Sequence, residues 1–152
     1  MSEISRKQTS QGKVSMHYLL DTNICIYIMN KRPQGVIQKF KQHDLGVIGV
    51  SAITVSELYY GISKSKNRIL NTQRVQEFLF PLAIIPYDEK AAAVHGDIRC
   101  QLEEPGKPIG PLDGLIAAQA LSRDLILITN NEEEFRRING LQVENWAQIG
   151  PG

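Results

Sequence analysis

Tyr18-Leu19-Leu20-Asp21-Thr22-Asn23-Ile24-Cys25-Ile26-Tyr27-Ile28-Met29 is the stretch that decides the fold. Residues 17–20 form a short apolar run, read as a buried strand. Thr22-Asn23 can cap a helix over residues 24–29. A strand delivered straight into a helix is the opening of an α/β unit, and the rest of the chain repeats it. Residues 45–50 are apolar and β-branched, hence a second strand. Ser51 then caps a helix whose Val55, Leu58, Tyr59 and Ile62 recur at i, i+3, i+4 and i+7. Residues 83–85 give a third strand bounded by Pro86, 125–128 a fourth, and 142–144 an edge-like last one. Helical patterns fill the intervals: 33–42, 69–80 with Val75, Phe78 and Leu79 on one face, 88–103 with Ala91, Val94, Ile98 and Leu102, the nearly all-apolar 112–121, and a short one over 132–138. The break at 64–68 is polar and basic, and 104–111, with two Gly and three Pro, is a loop. Strands alternating with helices predict an α/β fold with a central, mostly parallel sheet of four to five strands flanked by helices.

The bulk properties fit one such domain. The chain has 152 residues, 42% hydrophobic and 22% charged, with a net charge of +1. That suffices for a core of its own and does not announce a polyanionic partner. Cys25 and Cys100 both fall in apolar helical patterns without a CxxC partner, so free, buried thiols and a reducing cytoplasm are expected. No apolar run reaches the roughly 18 residues of a membrane span. Residues 1–15 are polar and lack the apolar stretch of a signal peptide. Met16, just before the first strand, reads as the natural start, with 1–15 a flexible extension or an expression remnant and 16–152 the folded domain.

Four places interrupt this apolar pattern with acid or amide. Asp21 follows the first strand. Glu57 lies about two turns into the helix after the second. Asp113 opens the apolar helix, in Pro111-Leu112-Asp113-Gly114-Leu115-Ile116. Thr129-Asn130-Asn131 follows the fourth strand. A buried carboxylate must be paired, neutralised or bound to a metal, and no Lys or Arg stands in register beside these. In an open parallel sheet, ligands sit outside the carboxyl ends of the strands, where Asp21, Asp113, Thr129 and Asn131 fall and Glu57 can join them. Oxygen ligands from several acids suit Mg²⁺ or Mn²⁺. Taken singly, each has a plainer role: Asp21 or Asp113 as a helix cap, Glu57 on a solvated face, Asn131 in a turn. The histidines His17, His43 and His95 lack metal-ligand spacing, and no P-loop, GxGxxG or GxSxG is present. Lys64, Lys66, Arg68 and Arg74 are either solvated surface or contacts to a phosphate backbone.

These segments resemble a PIN domain, and within it the VapC toxins of bacterial VapBC toxin–antitoxin pairs. The resemblance rests on Leu20-Asp21-Thr22-Asn23, on Ser51-Ala52-Ile53-Thr54-Val55-Ser56-Glu57-Leu58 with Gly61, on Gly106-Lys107-Pro108-Ile109-Gly110-Pro111-Leu112-Asp113 running into Ile116-Ala117-Ala118, and on Thr129-Asn130-Asn131 with Phe135, Gly140-Leu141 and Trp146. It implies a single PIN-like domain and a Mg²⁺- or Mn²⁺-dependent endoribonuclease that cuts RNA, often a structured RNA such as tRNA. It implies Asp21 and Asp113 as metal ligands, Glu57 completing the acidic cluster, and Thr129 and Asn131 flanking the metal from the fourth strand. Many PIN domains carry Asp where this chain has Asn131, which removes one negative charge. The resemblance also implies a homodimer and a VapB-like antitoxin partner, with the helical hairpin over 61–80 forming part of its groove. Two other readings are compatible with the residues. One is a catalytically silent PIN-fold module that binds RNA or a protein partner, suggested by Asn131. The other is a receiver-like phospho-acceptor at Asp21, which calls for an acidic pair near the chain start and a Lys after a late strand; this sequence has neither.

Overall fold

The computed structural model describes residues 16–147; the expectation for residues 1–15 lies outside them. Five strands, β1 (Tyr18–Leu20), β2 (Ile48–Ser51), β3 (Ala83–Ile85), β4 (Ile126–Ile128) and β5 (Val143–Glu144), form one sheet in the order β3-β2-β1-β4-β5. Every pairing is parallel. Parallel neighbours need crossovers, supplied by α1 (Thr22–Asn30), α2 (Gln34–Gln42), α3 (Ala52–Lys64), α4 (Arg68–Leu79), α5 (Glu89–Glu103), α6 (Pro111–Ser122) and the single turn α7 (Glu132–Phe135). The α/β expectation holds, and the sheet is wholly parallel.

Side chains alternate across a strand, and here the alternation separates two cores. Leu19 and Leu127 face one side with Ile98, Leu102 and Ile116, under α5 and α6. Leu20 and Ile128 face the other with Ile24, Ile28, Leu58 and Val75, under α1, α3 and α4. The register sets Leu20 beside both Val50 and Ile128. The residues that follow β1, β2 and β4 therefore leave the sheet at one level.

The structure departs from the sequence reading in four local places. Residues 45–47 form a 3₁₀ turn, so β2 starts only at Ile48. Asp44 Oδ1 accepts from the Gly46 amide at 3.0 Å and its carbonyl accepts from Val47 at 3.1 Å, closing that turn before pairing begins. The helix expected over 132–138 ends at Phe135. The amides of Arg137 and Ile138 donate three residues back, to Glu134 and Phe135, and Gly140 at φ +84° turns the chain toward β5. Tyr59 is 39% exposed, because α3 buries Thr54, Leu58 and Ile62 along one line. Cys25 is buried as expected, but Cys100 is exposed. It lies two residues from buried Ile98 and Leu102, which on a helix is nearly the opposite face.

Candidate active site

Asp21 continues the β1 ladder: its amide donates to the Ile128 carbonyl at 2.9 Å. Its Oδ1 accepts from the Ile24 amide at 2.9 Å, so Asp21, not Thr22, caps α1. Cap and cluster member are one residue. The side chain is only 5% exposed. Burial raises its pKa to about 6, against the Thr129 side chain and the Ile24 amide, which favour the ionised form; the charge of Glu57 adds to the rise. Thr129 is fully buried, and its hydroxyl accepts from the Asn131 amide at 3.0 Å.

Freed from the cap, Thr22 turns to α3. Its hydroxyl hydrogen-bonds the Glu57 carboxylate and lies 3.1 Å from the Thr54 hydroxyl. Glu57, half-buried, is thereby aimed at the end of β1. Asp113 sits in the first turn of α6, behind Gly110 at the cap and Pro111 at the first position. A helix N-terminus favours negative charge there. Nevertheless its pKa is pushed up to about 7, by burial first, then by the hydrogen bond and charge of Glu134, then by Asp21 and Glu57. Four carboxyls thus share one corner.

Glu134 is the member that sequence reasoning missed. It stands in Glu132-Glu133-Glu134, at the start of the helix expected over 132–138, where three acids in a row single none of them out. The buried Phe135 fixes the phase of α7, and Asn131, three residues earlier, reaches Glu134 Oε1 through its Nδ2 at 2.8 Å. That i, i+3 spacing from a site amide was the available signal. Asn130 goes elsewhere: its Nδ2 donates to the Tyr27 hydroxyl at 2.7 Å, and its buried Oδ1 has no partner among the described residues.

The arrangement suits a hard divalent cation. Among the described residues the ion pairs are Arg99–Glu103, Arg123–Asp88 and Arg136–Glu132; none involves Asp21, Glu57, Asp113 or Glu134. Mutually repelling oxygens without a basic partner are the donor set Mg²⁺ or Mn²⁺ takes. Among the described residues no three such side chains are already drawn together as a metal-holding group. Instead Asp113 turns to Glu134 and Glu57 to Thr22.

Among the described residues, none of the four basic side chains forms an ion pair with these carboxylates. Arg68 donates to the Ser63 carbonyl at 2.8 Å, and Lys64 lies 4.4 Å over the Tyr60 ring. Lys66 is exposed. Arg74 binds the Met29 carbonyl at 3.3 Å and Asn30 at 3.2 Å, closing the end of α1. It shares with Glu57 a cleft of about 180 Å³ walled by Ile26, Met29, Leu58 and Ile62.

A wholly parallel sheet with an acid cluster at its carboxyl edge is the arrangement of PIN domains, and that family matches residues 18–141. The chain belongs to the PIN domain family, within its VapC group. It is 45% identical to Ribonuclease VapC2 of Haemophilus influenzae over 132 residues, 87% of this chain and 99% of that protein. It is 39% identical to the tRNA(fMet)-specific endonuclease VapC of Shigella flexneri, with the same coverage. Among solved structures, VapBC2 from Rickettsia felis, bound to a DNA fragment from its promoter, superimposes with a TM-score of 0.79 at 40% identity, covering 86% of this chain and 99% of that one.

Proposed function

We propose that this protein is a Mg²⁺- or Mn²⁺-dependent endoribonuclease, the toxin of a toxin–antitoxin pair, acting in the cytoplasm on a structured RNA such as tRNA. The observation that carries the proposal is the corner of four carboxyls without a basic partner, in a chain whose relatives are named as VapC ribonucleases. Asp21 and Asp113 would hold the cation, with Glu57 completing the set and Glu134 beside Asp113. A bound divalent cation supplies a more acidic water and positive charge for the scissile phosphate. Glu57, aimed by Thr22, orients the attacking water and takes its proton. Displacement at phosphorus then leaves a 5′-phosphate and a 3′-hydroxyl, without using the RNA 2′-hydroxyl as nucleophile. Thr129 supports Asp21 from β4, and Asn131 holds Glu134 in place. The charge that Asn131 lacks is returned to the corner by Glu134.

The same reading covers the partners. A VapB-like antitoxin lays a segment in the cleft that runs from Arg74 to Glu57. The exposed apolar side chains Ile69, Leu70 and Phe80, at 85%, 48% and 90%, offer surface that protein partners cover, the antitoxin and a second copy in a homodimer. Lys66 is free to meet the RNA backbone and Lys64 rests over the Tyr60 ring, whereas Arg68 and Arg74 are engaged by backbone carbonyls. The cytoplasmic assignment agrees with two free cysteines and with the absence, among the described residues, of a helix long and apolar enough to cross a membrane.

The test is cleavage of a mixed tRNA pool by antitoxin-free protein with Mg²⁺, Mn²⁺ or EDTA, beside Asp21→Ala. Discrete fragments that need the cation and vanish in the variant are expected. No cleavage from a folded, metal-binding protein would transfer the reading to a silent module, which Asn131 alone favours.

A further inference from the structure

Gln119 is fully buried in α6, between Ala118 and Ala120, where an apolar side chain would pack without any hydrogen-bonding demand. It is nonetheless satisfied at both ends. Its Nε2 donates to the carbonyls of Ile85 and Pro86, each at 3.0 Å, where β3 ends. Its Oε1 accepts from the Ser51 hydroxyl. That hydroxyl accepts in turn from the Ile53 amide at 2.9 Å and caps α3. One amide thus joins the carboxyl ends of β2 and β3 to the last turn of α6. A closed, buried polar network fixes one arrangement of the elements it joins, where apolar packing tolerates several.

We propose that Gln119 is a positioning residue, whose amide sets Asp113 of α6 against Glu57 of α3. The inference rests on the nuclease reading above. Asp113 precedes Gln119 by six residues and Glu57 follows Ser51 by six, so each carboxylate stands about 9 Å along its helix from the shared anchor. At that distance a tilt of about 10° moves a carboxylate by roughly 1.5 Å. Misplacement of that size at a reacting centre costs on the order of 100-fold in rate. The network touches neither carboxylate, so its loss leaves their chemistry intact and changes only where they stand.

The experiment compares the wild type with Gln119→Met, Ser51→Ala and the double variant, all free of antitoxin. Melting temperature, Mn²⁺ affinity by calorimetry, and kcat and KM on one RNA are measured for each. Both single variants are expected to fold, to bind Mn²⁺ more weakly, and to lose about 10- to 100-fold in kcat. Their RNA KM should stay within about threefold of the wild type. The double variant should be no worse than the weaker single, since the two side chains act as one unit. Ser51→Thr, which keeps the hydroxyl, should restore both Mn²⁺ affinity and kcat. A lowered melting temperature with unchanged Mn²⁺ affinity and kcat would overturn the proposal and leave the network a stability element only. Should Gln119→Met not fold, Ser51→Ala decides by the same two readouts. Should the wild type cleave no RNA, the nuclease reading fails on its own, and equal Mn²⁺ affinities would still overturn the positioning role.

Discussion

Asp21 and Asp113 are both acids with raised pKa values, yet the molecule holds them in opposite ways. Asp21 is fixed by backbone: the β1 ladder runs into it, and its carboxylate caps α1. Asp113 rides on the first turn of a helix that follows a Gly- and Pro-rich loop, and its carboxyl meets another acid, Glu134. The first acid is placed whether or not a cation is bound. The second is turned to a neighbour that repels it once both are ionised, so it has reason to move when a cation arrives. On the proposed reading, one half of the site is built into the sheet and the other would be completed by the cation.

The comparison breaks first at Asp21. Asp21→Asn keeps an N-cap, because an Asn oxygen can accept the same amide. The protein should stay folded while RNA cleavage falls on the order of 10³-fold or more. The variant should also melt higher than the wild type in EDTA at pH 8, because a buried charge is gone. A lower melting temperature there would mean that the carboxylate is not strained by burial. Glu134→Gln sharpens the other half. It keeps a hydrogen-bonding partner for Asp113 but removes the charge that adds to the rise burial already causes in its pKa. Cleavage should fall by about 10- to 100-fold, and the pH at which Mn²⁺ binding reaches half its maximum should move down. An unmoved midpoint would separate Glu134 from the metal corner.

Both halves contribute to a pH dependence of stability. Asp21 at about 6 and Asp113 at about 7 stand above the ordinary value of 3.8. The folded state therefore binds more protons than the unfolded chain between those limits, and stability falls as pH rises through the window. Below about pH 4 both groups are protonated in either state, and this contribution is fully present; above about pH 7 it is lost. In EDTA, melting temperature should decline from pH 5 to pH 8. Saturating Mg²⁺ should raise it by about 5 °C or more at pH 8 and hardly at pH 5. Equal shifts at the two values would disconnect the carboxyls from the cation.

The sequence singled out an acid in each half, Asp21 and Asp113, and left Glu134 unread. Asp21 and Glu57 break apolar patterns, and a charge in such a place calls for an explanation whatever the fold. The helices were equally legible wherever a stripe of apolar residues had one period, as in α5. Glu134 was hidden because three consecutive glutamates look alike until Phe135, by burying itself, decides which one turns inward. Residues 45–47 were hidden because β-branched composition outweighed the Asp44-Leu45-Gly46 turn signal. Cys100 was misjudged because apolar neighbours two positions away lie on another face. Arg74 shows a further limit. Its partners, Met29 and Asn30, lie more than 40 residues earlier in the chain, and charge alone does not say where a guanidinium will fold.

That last point yields the smallest expected effect. Four basic residues run from the end of α3 into α4, but the fold has divided them. Arg74 closes the C-terminal end of α1, and Arg68 is tied to the Ser63 carbonyl. Lys66 is exposed and belongs to no ion pair among the described residues. Arg74→Ala should therefore act on stability, lowering it by about 0.5–1.5 kcal/mol through a lost hydrogen bond at a helix end. Lys66→Ala should leave the melting temperature unchanged and raise the KM for RNA by about two- to fivefold. The effect should fade as salt rises, as for any phosphate contact. If Lys66→Ala instead leaves KM alone at low salt while Arg74→Ala raises it, the RNA runs through the cleft beside Glu57. The antitoxin and the substrate would then compete for the same guanidinium.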